Sequence, residues 1–220
     1  MKVIILGSFS DIGRALIKFL QEDGHRVYGW HRGEELLIPM EPAWDLIICA
    51  IGALGSIGKW EDADDVQWCD AMESNLLLPL RLIRQLWKHR NANAQVCMLA
   101  GSNPNTIELG YSAYNVAKMA LLKAVEHLNV ETDVKWYALA PGIVLTKIHK
   151  PTIDTRWINE RLSEAMNVGG TPMAKIYECL RWCMEAQKAT IGGRNICVSD
   201  DYRSQRFSAD TWKLRRHEDF

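Results

Sequence analysis

Short apolar runs alternate with segments whose apolar positions recur at helical spacing, and this alternation organises the chain from end to end. Residues 2–6 are a continuous apolar run that predicts a buried strand. Asp11-Ile12-Gly13-Arg14 opens an amphipathic helix carrying Ala15, Leu16, Phe19 and Leu20, and Gly24 stops it. Strands are predicted at Arg26–Trp30 and at Asp45–Ala50, the latter ending at Ile51-Gly52. A helix runs from the acidic segment Glu61–Asp65 to about His89, with Pro79 marking a kink or break. Gln95–Ala100 is a strand, Tyr111–Asn129 a helix and Val134–Ala140 a strand that gives way to Pro141-Gly142. Residues 147–170 read as irregular and polar, with Trp157 and room for a short helix. Pro172–Gln187 is a helix, Asn195–Val198 a last strand, and residues 200–220 a polar, partly basic surface tail. Strand–helix alternation implies a parallel sheet with helices on both faces, an α/β fold. The absence of an internal repeat or linker makes residues 1–199 one domain, with 147–170 as a loop within it.

Composition narrows the partners. The chain has 220 residues, 48% apolar and 24% charged, enough for one sizeable core. A formal net charge of -1 gives no electrostatic case for nucleic acid or an anionic membrane. No apolar run approaches the ~20 residues of a membrane helix, and the first apolar run is too short to read as a secretory signal. Cys49, Cys69, Cys97, Cys179, Cys183 and Cys197 are scattered without a C-x-x-C, the pattern of reduced thiols in a cytoplasmic protein.

Chemistry enters at Tyr114-Asn115-Val116-Ala117-Lys118, with Ser102 twelve residues upstream of Tyr114. Tyr114 and Lys118 share a helix face at i,i+4. A lysine ~5 Å from a phenol, at an effective dielectric of about 20, favours the phenolate by roughly 3 kcal/mol. That shift would bring a tyrosine into range as a general acid/base. Gly7 and Gly13 flank the first strand–helix turn, where the backbone can approach a pyrophosphate at the positive end of a helix. The second strand ends in Trp30-His31-Arg32, with no carboxylate at its tip and two donors suited to an adenosine 2′-phosphate.

With these parts in order, the chain resembles the classical-type short-chain dehydrogenases/reductases over nearly its whole length. Gly7…Gly13 is similar to the family's T-G-x-x-x-G-x-G turn, and Cys49-Ala50-Ile51-Gly52 falls where N-N-A-G ends a strand. Asn75, Ser102, the Tyr114/Lys118 pair, Pro141–Thr146 (P-G-x-V-x-T) and Ile191-Gly192-Gly193-Arg194 follow in the family's order. The resemblance implies a Rossmann-type doubly wound sheet and an NADP(H)-dependent oxidoreductase acting on a small carbonyl or secondary-alcohol substrate. It implies Tyr114 as acid/base and Lys118 as the residue that holds the nicotinamide ribose and lowers the pKa of Tyr114. Ser102 would bind the substrate oxygen, and Asn75 would position a water behind Lys118. Cofactor contacts fall on Gly7, Ser8, Ser10, Ile12, Gly13, His31, Arg32, Ala50, Gly52, Lys118, Pro141, Gly142, Val144 and Thr146. No metal is implied. Family dimers and tetramers imply a homo-oligomer built on the helices around 63–89 and 111–129, with Leu76, Leu80, Leu122 and Val125 as contact candidates.

The departures are specific. Asp11 replaces the middle glycine of the turn and is expected to cap the first helix. Leu6 and Cys49-Ala50 replace a threonine and two asparagines, and only about a dozen residues separate Arg32 from Asp45. That leaves a third strand at Leu36–Met40 without flanking helices, or a lost sheet edge. Two other readings stay open at this point. One is an NADP(H)-binding sensor with little turnover; the other is a pterin-type reductase, to which Leu99-Ala100-Gly101 is similar. An extended-type epimerase or dehydratase is disfavoured by the short region after residue 147. The segment 147–170 is expected to be mobile, with Trp157 facing the pocket.

Overall fold

The computed structural model describes residues 1–36, 43–101, 107–153 and 155–204. Within them, strands β1 (Lys2–Leu6), β2 (Arg26–Trp30), β3 (Trp44–Cys49), β4 (Arg90–Leu99), β5 (Lys135–Ala140) and β6 (Asn195–Cys197) form one sheet. Its order is β2-β1-β3-β4-β5-β6, and every pairing is parallel. The chain leaves β1 to one side for β2 and returns to the other side for β3. A crevice therefore opens at the carboxyl ends of β1 and β3, the topological switch point where α/β sheets bind ligands. Register sets the height of that rim. Leu6 pairs with both Trp30 and Cys49, Cys49 with Met98, and Leu99 with Leu139. Gly7, His31, Ala50, Ala100 and Pro141 consequently start their loops at nearly one level.

Both faces of the sheet are covered, so its central strands read as unbroken apolar runs rather than alternating ones. Alternate residues still part to opposite sides. Val3, Ile5, Leu46, Ile48, Cys97, Tyr137 and Leu139 pack with α1 (Asp11–Glu22) and, farther along the chain, the helix Met173–Glu185. Ile4, Leu6, Ile47, Cys49, Val96, Met98 and Ala138 pack on the other side with Leu82, Ile83, Leu121, Leu122 and Val125. The predicted helix 61–89 is α2 (Asp65–Met72), a widened π turn at Glu73–Leu77 and α3 (Leu78–Leu86), with single 3₁₀ turns at either end. Pro79 explains the wide turn. It has no N–H to donate, and its ring would strike the carbonyl four residues back, that of Asn75. The turn relaxes to an i→i−5 bond from the Leu78 amide to the Glu73 carbonyl. α4 (Ser112–Glu131) follows almost where the periodicity puts it.

Several expectations change. Residues 147–170 are largely helical: a 3₁₀ turn at Lys147–His149, α5 (Lys150–Ile153) and α6 (Glu160–Val168), the last capped by Asn159 onto the Leu162 amide. α7 (Met173–Glu185) and α8 (Lys188–Ile191) follow. Strand β4 starts at Arg90, before the predicted Gln95. Tyr202, read as part of a surface tail, is buried and its ring lies 5.3 Å from that of Trp182. Leu122 and Val125, offered as assembly contacts, are buried in this chain's own core. Leu77, in the π turn before α3, and Val116, Met119 and Val130, on α4, are large apolar side chains left exposed. Of Leu36–Met40, where a third family strand was sought, Leu36 is in no strand and residues 37–40 lie outside the described residues. Cys49, Cys97, Cys179 and Cys183 are buried free thiols as expected; Cys69 is exposed.

Candidate active site

The first turn is built on steric necessity. Gly7 has φ +94°, and a Cβ there would lie 2.7 Å from the Ala50 carbonyl carbon. A Cβ on Gly13 would lie 2.3 Å from the Gly7 oxygen. Only glycines let β1 turn into α1 this close to the end of β3. Ser10 caps α1: its Oγ donates to the Gly7 carbonyl at 2.8 Å and accepts from the Gly13 amide at 2.9 Å. Asp11 therefore does not cap the helix, contrary to expectation. Its Oδ2 accepts the backbone N–H of Lys147 at 3.0 Å instead.

A cavity of about 320 Å³ opens above the rim. It brings together Ser10, Ile12, Ala50, Gly52, Tyr114, Lys118, Pro141, Gly142, Val144 and Thr146 from the sequence reading. A second hollow of about 300 Å³ continues from it through Ser10, Ala50, Ile51 and Gly52 to Gly7, His31, Arg32 and Ser74. Ser8 is buried behind the turn, and its amide donates to the Trp30 carbonyl at 2.9 Å. Gly13 is buried below. Ser102 lies outside the described residues.

Lys118 is the electrostatic centre. It is 5% exposed, and its Nζ donates to the Leu99 carbonyl at 2.8 Å. Burial pulls the ammonium down to about 8. Asn75, 1% exposed, projects from the π turn. Its Nδ2 donates to the Ala53 and Ala71 carbonyls at 2.7 and 2.8 Å. Its Oδ1 has no partner among the described residues and lies 3.2 Å from the place a Gly52 Cβ would fill; Lys118 Nζ is 3.8 Å from the same point. A buried amide oxygen thus stands close to a buried ammonium beside a glycine.

Tyr114 departs from expectation. Lys118 Nζ sits 5.6 Å from its ring centroid but spends a bond on Leu99. Burial, with the Glu108 carboxylate adding, pushes the phenol up to about 12 rather than down. Tyr114 is thus held as the neutral acid at all ordinary pH.

The strand-two tip also differs. Glu34 turns back, and its Oε2 lies 2.9 Å from His31 Nδ1, so a carboxylate does sit there. His31 stacks on Phe9 at 3.8 Å between centroids. Arg32 Nη2 donates to Ser74 Oγ at 2.5 Å, at the mouth of the second hollow.

Sequence reasoning missed Glu108, Tyr111, Asn115, His149, Asn159 and Arg161 on the cavity wall. Tyr111 and Asn115 share Lys118's helix face by spacing and were legible; the others come from loops whose course spacing does not fix. His149 Nε2 donates to the Val144 carbonyl at 3.1 Å, and burial lowers its pKa. Asn159 Nδ2 donates to Glu108 Oε2 at 3.2 Å. Trp157 does not line the central cavity. It packs on Gly110, where a Cβ would meet its ring at 2.7 Å, and borders a separate hollow with Ile107, Leu109, Val116 and Met119.

A dinucleotide fits the residues present. Glycine cradles bring backbone close at Gly7 and Gly13, the N-terminus of α1 lines the cavity, and the buried ammonium stands at its far wall. Among the described residues no group of three or more His, Cys, Asp or Glu could hold a metal.

No family model and no curated protein matches this chain. Solved structures do match in fold. A small-chain dehydrogenase in complex with NADPH superposes at TM-score 0.74 with 16% identity, over 90% of this chain and 95% of that one. A short-chain dehydrogenase/reductase from Saccharomyces cerevisiae gives 0.74 and 17%, over 91% and 97%. A single-site variant of actinorhodin polyketide ketoreductase with NADPH gives 0.75 and 17%, over 90% and 95%. The chain therefore has the Rossmann-type fold of these short-chain dehydrogenases, nearly end to end.

Proposed function

We propose that this protein is an NADP(H)-dependent oxidoreductase that reduces a small carbonyl compound to a secondary alcohol, in the manner of the short-chain dehydrogenases/reductases. The observation that carries the reading is the convergence of Tyr114 and Lys118 in a glycine-cradled cleft, with the buried Asn75 Oδ1 behind them beside Gly52. Gly7, Gly13 and the α1 N-terminus would hold the diphosphate, Lys118 the nicotinamide ribose, and Pro141–Thr146 the nicotinamide ring. When bound, the nicotinamide would supply a hydride to the carbonyl carbon. As charge builds on the carbonyl oxygen, Tyr114 donates its proton there, giving the alcohol. Lys118 stabilises the phenolate left behind, and Asn75, behind Lys118, would position a water through which Tyr114 regains a proton. A phenol held neutral by burial is in the state that reduction needs; alcohol oxidation would need the phenolate. Ser102 remains the proposed partner of the substrate oxygen.

Among the described residues no helix is long and apolar enough to cross a membrane. Self-association belongs to the proposal too, through the exposed Leu77, Val116 and Met119 rather than the buried leucine and valine named from sequence. Sedimentation at micromolar concentration is expected to give a dimer or larger; a monomer would count against it.

The test is a panel of ketones, aldehydes and pterin-like compounds with NADPH, followed by nicotinamide absorbance. A sensor would bind NADPH and turn over none of them. Cofactor choice gives a separate prediction. Arg32 can release Ser74 and pair with an adenosine 2′-phosphate, a charge-assisted contact worth roughly 1.5–3 kcal/mol. Glu34, 2.9 Å from His31 at the same tip, opposes it. NADPH is expected to bind about tenfold more tightly than NADH, Arg32→Ala to remove most of that preference, and Glu34→Gln to widen it. Identical titration curves for the two cofactors in the wild type would refute this use of Arg32.

A further inference from the structure

The loop after β5 and the turn after β1 form opposite lips of the central cavity: Ser10, Asp11 and Ile12 on one side, Pro141–Val144 and Thr146–Ile148 on the other. They lie 136 residues apart in the chain and are joined across the mouth. Asp11 Oδ2 accepts the Lys147 amide at 3.0 Å. Lys147 Nζ reaches the Phe9 carbonyl at 3.5 Å and stands 4.0 Å from Asp11 Oδ1. Asp11 is the acidic residue of α1's first turn but does not cap the helix, because Ser10 does. Its carboxylate is committed to the opposite lip.

The loop is held unevenly. Its inner half is locked: the Thr171 amide donates to the Ile143 carbonyl at 2.7 Å, and Cβ atoms on Gly142 and Gly170 would lie 2.5 Å from Thr171 Oγ1 and 2.6 Å from the Ile143 oxygen. Its outer half, from Leu145 on, reaches the first turn through the Asp11–Lys147 contacts, in a region open to solvent. The inner half is fixed by backbone packing and the outer half by its own turn and the His149–Val144 bond, while Asp11 and Lys147 supply its bonds to the first turn.

We propose that Asp11 and Lys147 form a clasp that retains the dinucleotide, so that its opening limits how fast the dinucleotide leaves. The proposal rests on the dinucleotide reading above. A carboxylate at the N-terminus of α1 would otherwise work against a diphosphate, by like-charge repulsion. Bonding to the opposite lip's amide and standing near its ammonium offset that charge while closing the cleft. The two effects predict opposite results on removing the carboxylate: loss of a clasp speeds release, and loss of a repulsion slows it.

The experiment measures NADPH release by stopped-flow chase, together with hydrogen exchange of the Lys147 amide in the ligand-free protein. Asp11→Ala is expected to release NADPH about tenfold faster and to exchange the Lys147 amide about tenfold faster. Asp11→Asn, which keeps an oxygen acceptor without the charge, is expected to stay within about threefold of wild type in both. Thermal melting of both variants near the wild-type temperature places the effect at the clasp and not in the fold. Unchanged or slower release from Asp11→Ala overturns the clasp, as does a Lys147 amide that exchanges freely in the wild type. A wild type that binds neither NADPH nor NADH removes the dinucleotide reading, and the clasp with it.

Discussion

Tyr114→Phe is expected to cost between about 10²- and 10⁴-fold in kcat for carbonyl reduction, the usual contribution of a positioned general acid. NADPH should still bind with nearly wild-type affinity, because the hydroxyl is the only group removed and the ring still packs over Lys118. The pH profile adds a sharper form of the same prediction. The phenol, pushed up to about 12, stays protonated throughout the working range. The alkaline limb of reduction should therefore report Lys118, which loses its charge as pH rises through about 8. Activity is expected to be flat below that point and to fall above it. Retention of turnover in the phenylalanine variant would remove Tyr114 from the mechanism; a limb set well above pH 9 would remove Lys118 from it.

Lys118→Met should abolish turnover and yet stabilise the fold. A pKa drawn from 10.5 down to about 8 means that burial disfavours the charged form by roughly 3 kcal/mol. The sign follows from proton counts. Below pH 8 both folded and unfolded chains carry the proton, and the full cost is present. Between about 8 and 10.5 the unfolded chain binds more protons, so stability rises with pH as the cost is relieved. Methionine removes the charge but leaves the Leu99 carbonyl unpaired, which returns about 1–2 kcal/mol of that gain. A net gain of about 1–2 kcal/mol at pH 7, or roughly 2–8 °C in melting temperature, is expected. Lys135 is also drawn down to about 8 by burial, so it contributes a rise of the same sign. It does so in both proteins, and the difference between their stability–pH curves isolates Lys118. A methionine variant that melts lower at pH 7 would mean that Lys118 is kept for structure. Stability sacrificed at a functional site is the physical signature of a group selected for chemistry.

The local parts of this protein were written in its order of residues. Apolar runs of strand length separated by amphipathic helices dictate parallel β-strands covered on both faces, because only that layering hides unbroken runs such as Val3–Leu6 and Trp136–Ala140. The spacing of Tyr114 and Lys118 fixes a shared helix face, and Gly7 and Gly13 fix a turn that no side chain could enter. Pro79 announced an irregular helix, although not that the irregularity would be the wide turn presenting Asn75. What the chain's order left open were contacts between segments far apart in it, and the burial that contacts produce. Asp11 has two suitors, its own helix amides and a backbone N–H 136 residues away; the competing Ser10 cap decides for the second. Glu34 reaches the strand-two tip only because the chain turns back on His31. Trp157 finds Gly110 rather than the cavity, and helices form in 147–170 where polar composition hid them. Most telling is the Tyr114–Lys118 pair. Spacing gives the distance between two charges, from which attraction follows; tertiary packing sets the dielectric around each, and desolvation there outweighs the attraction and drives both groups toward their neutral forms.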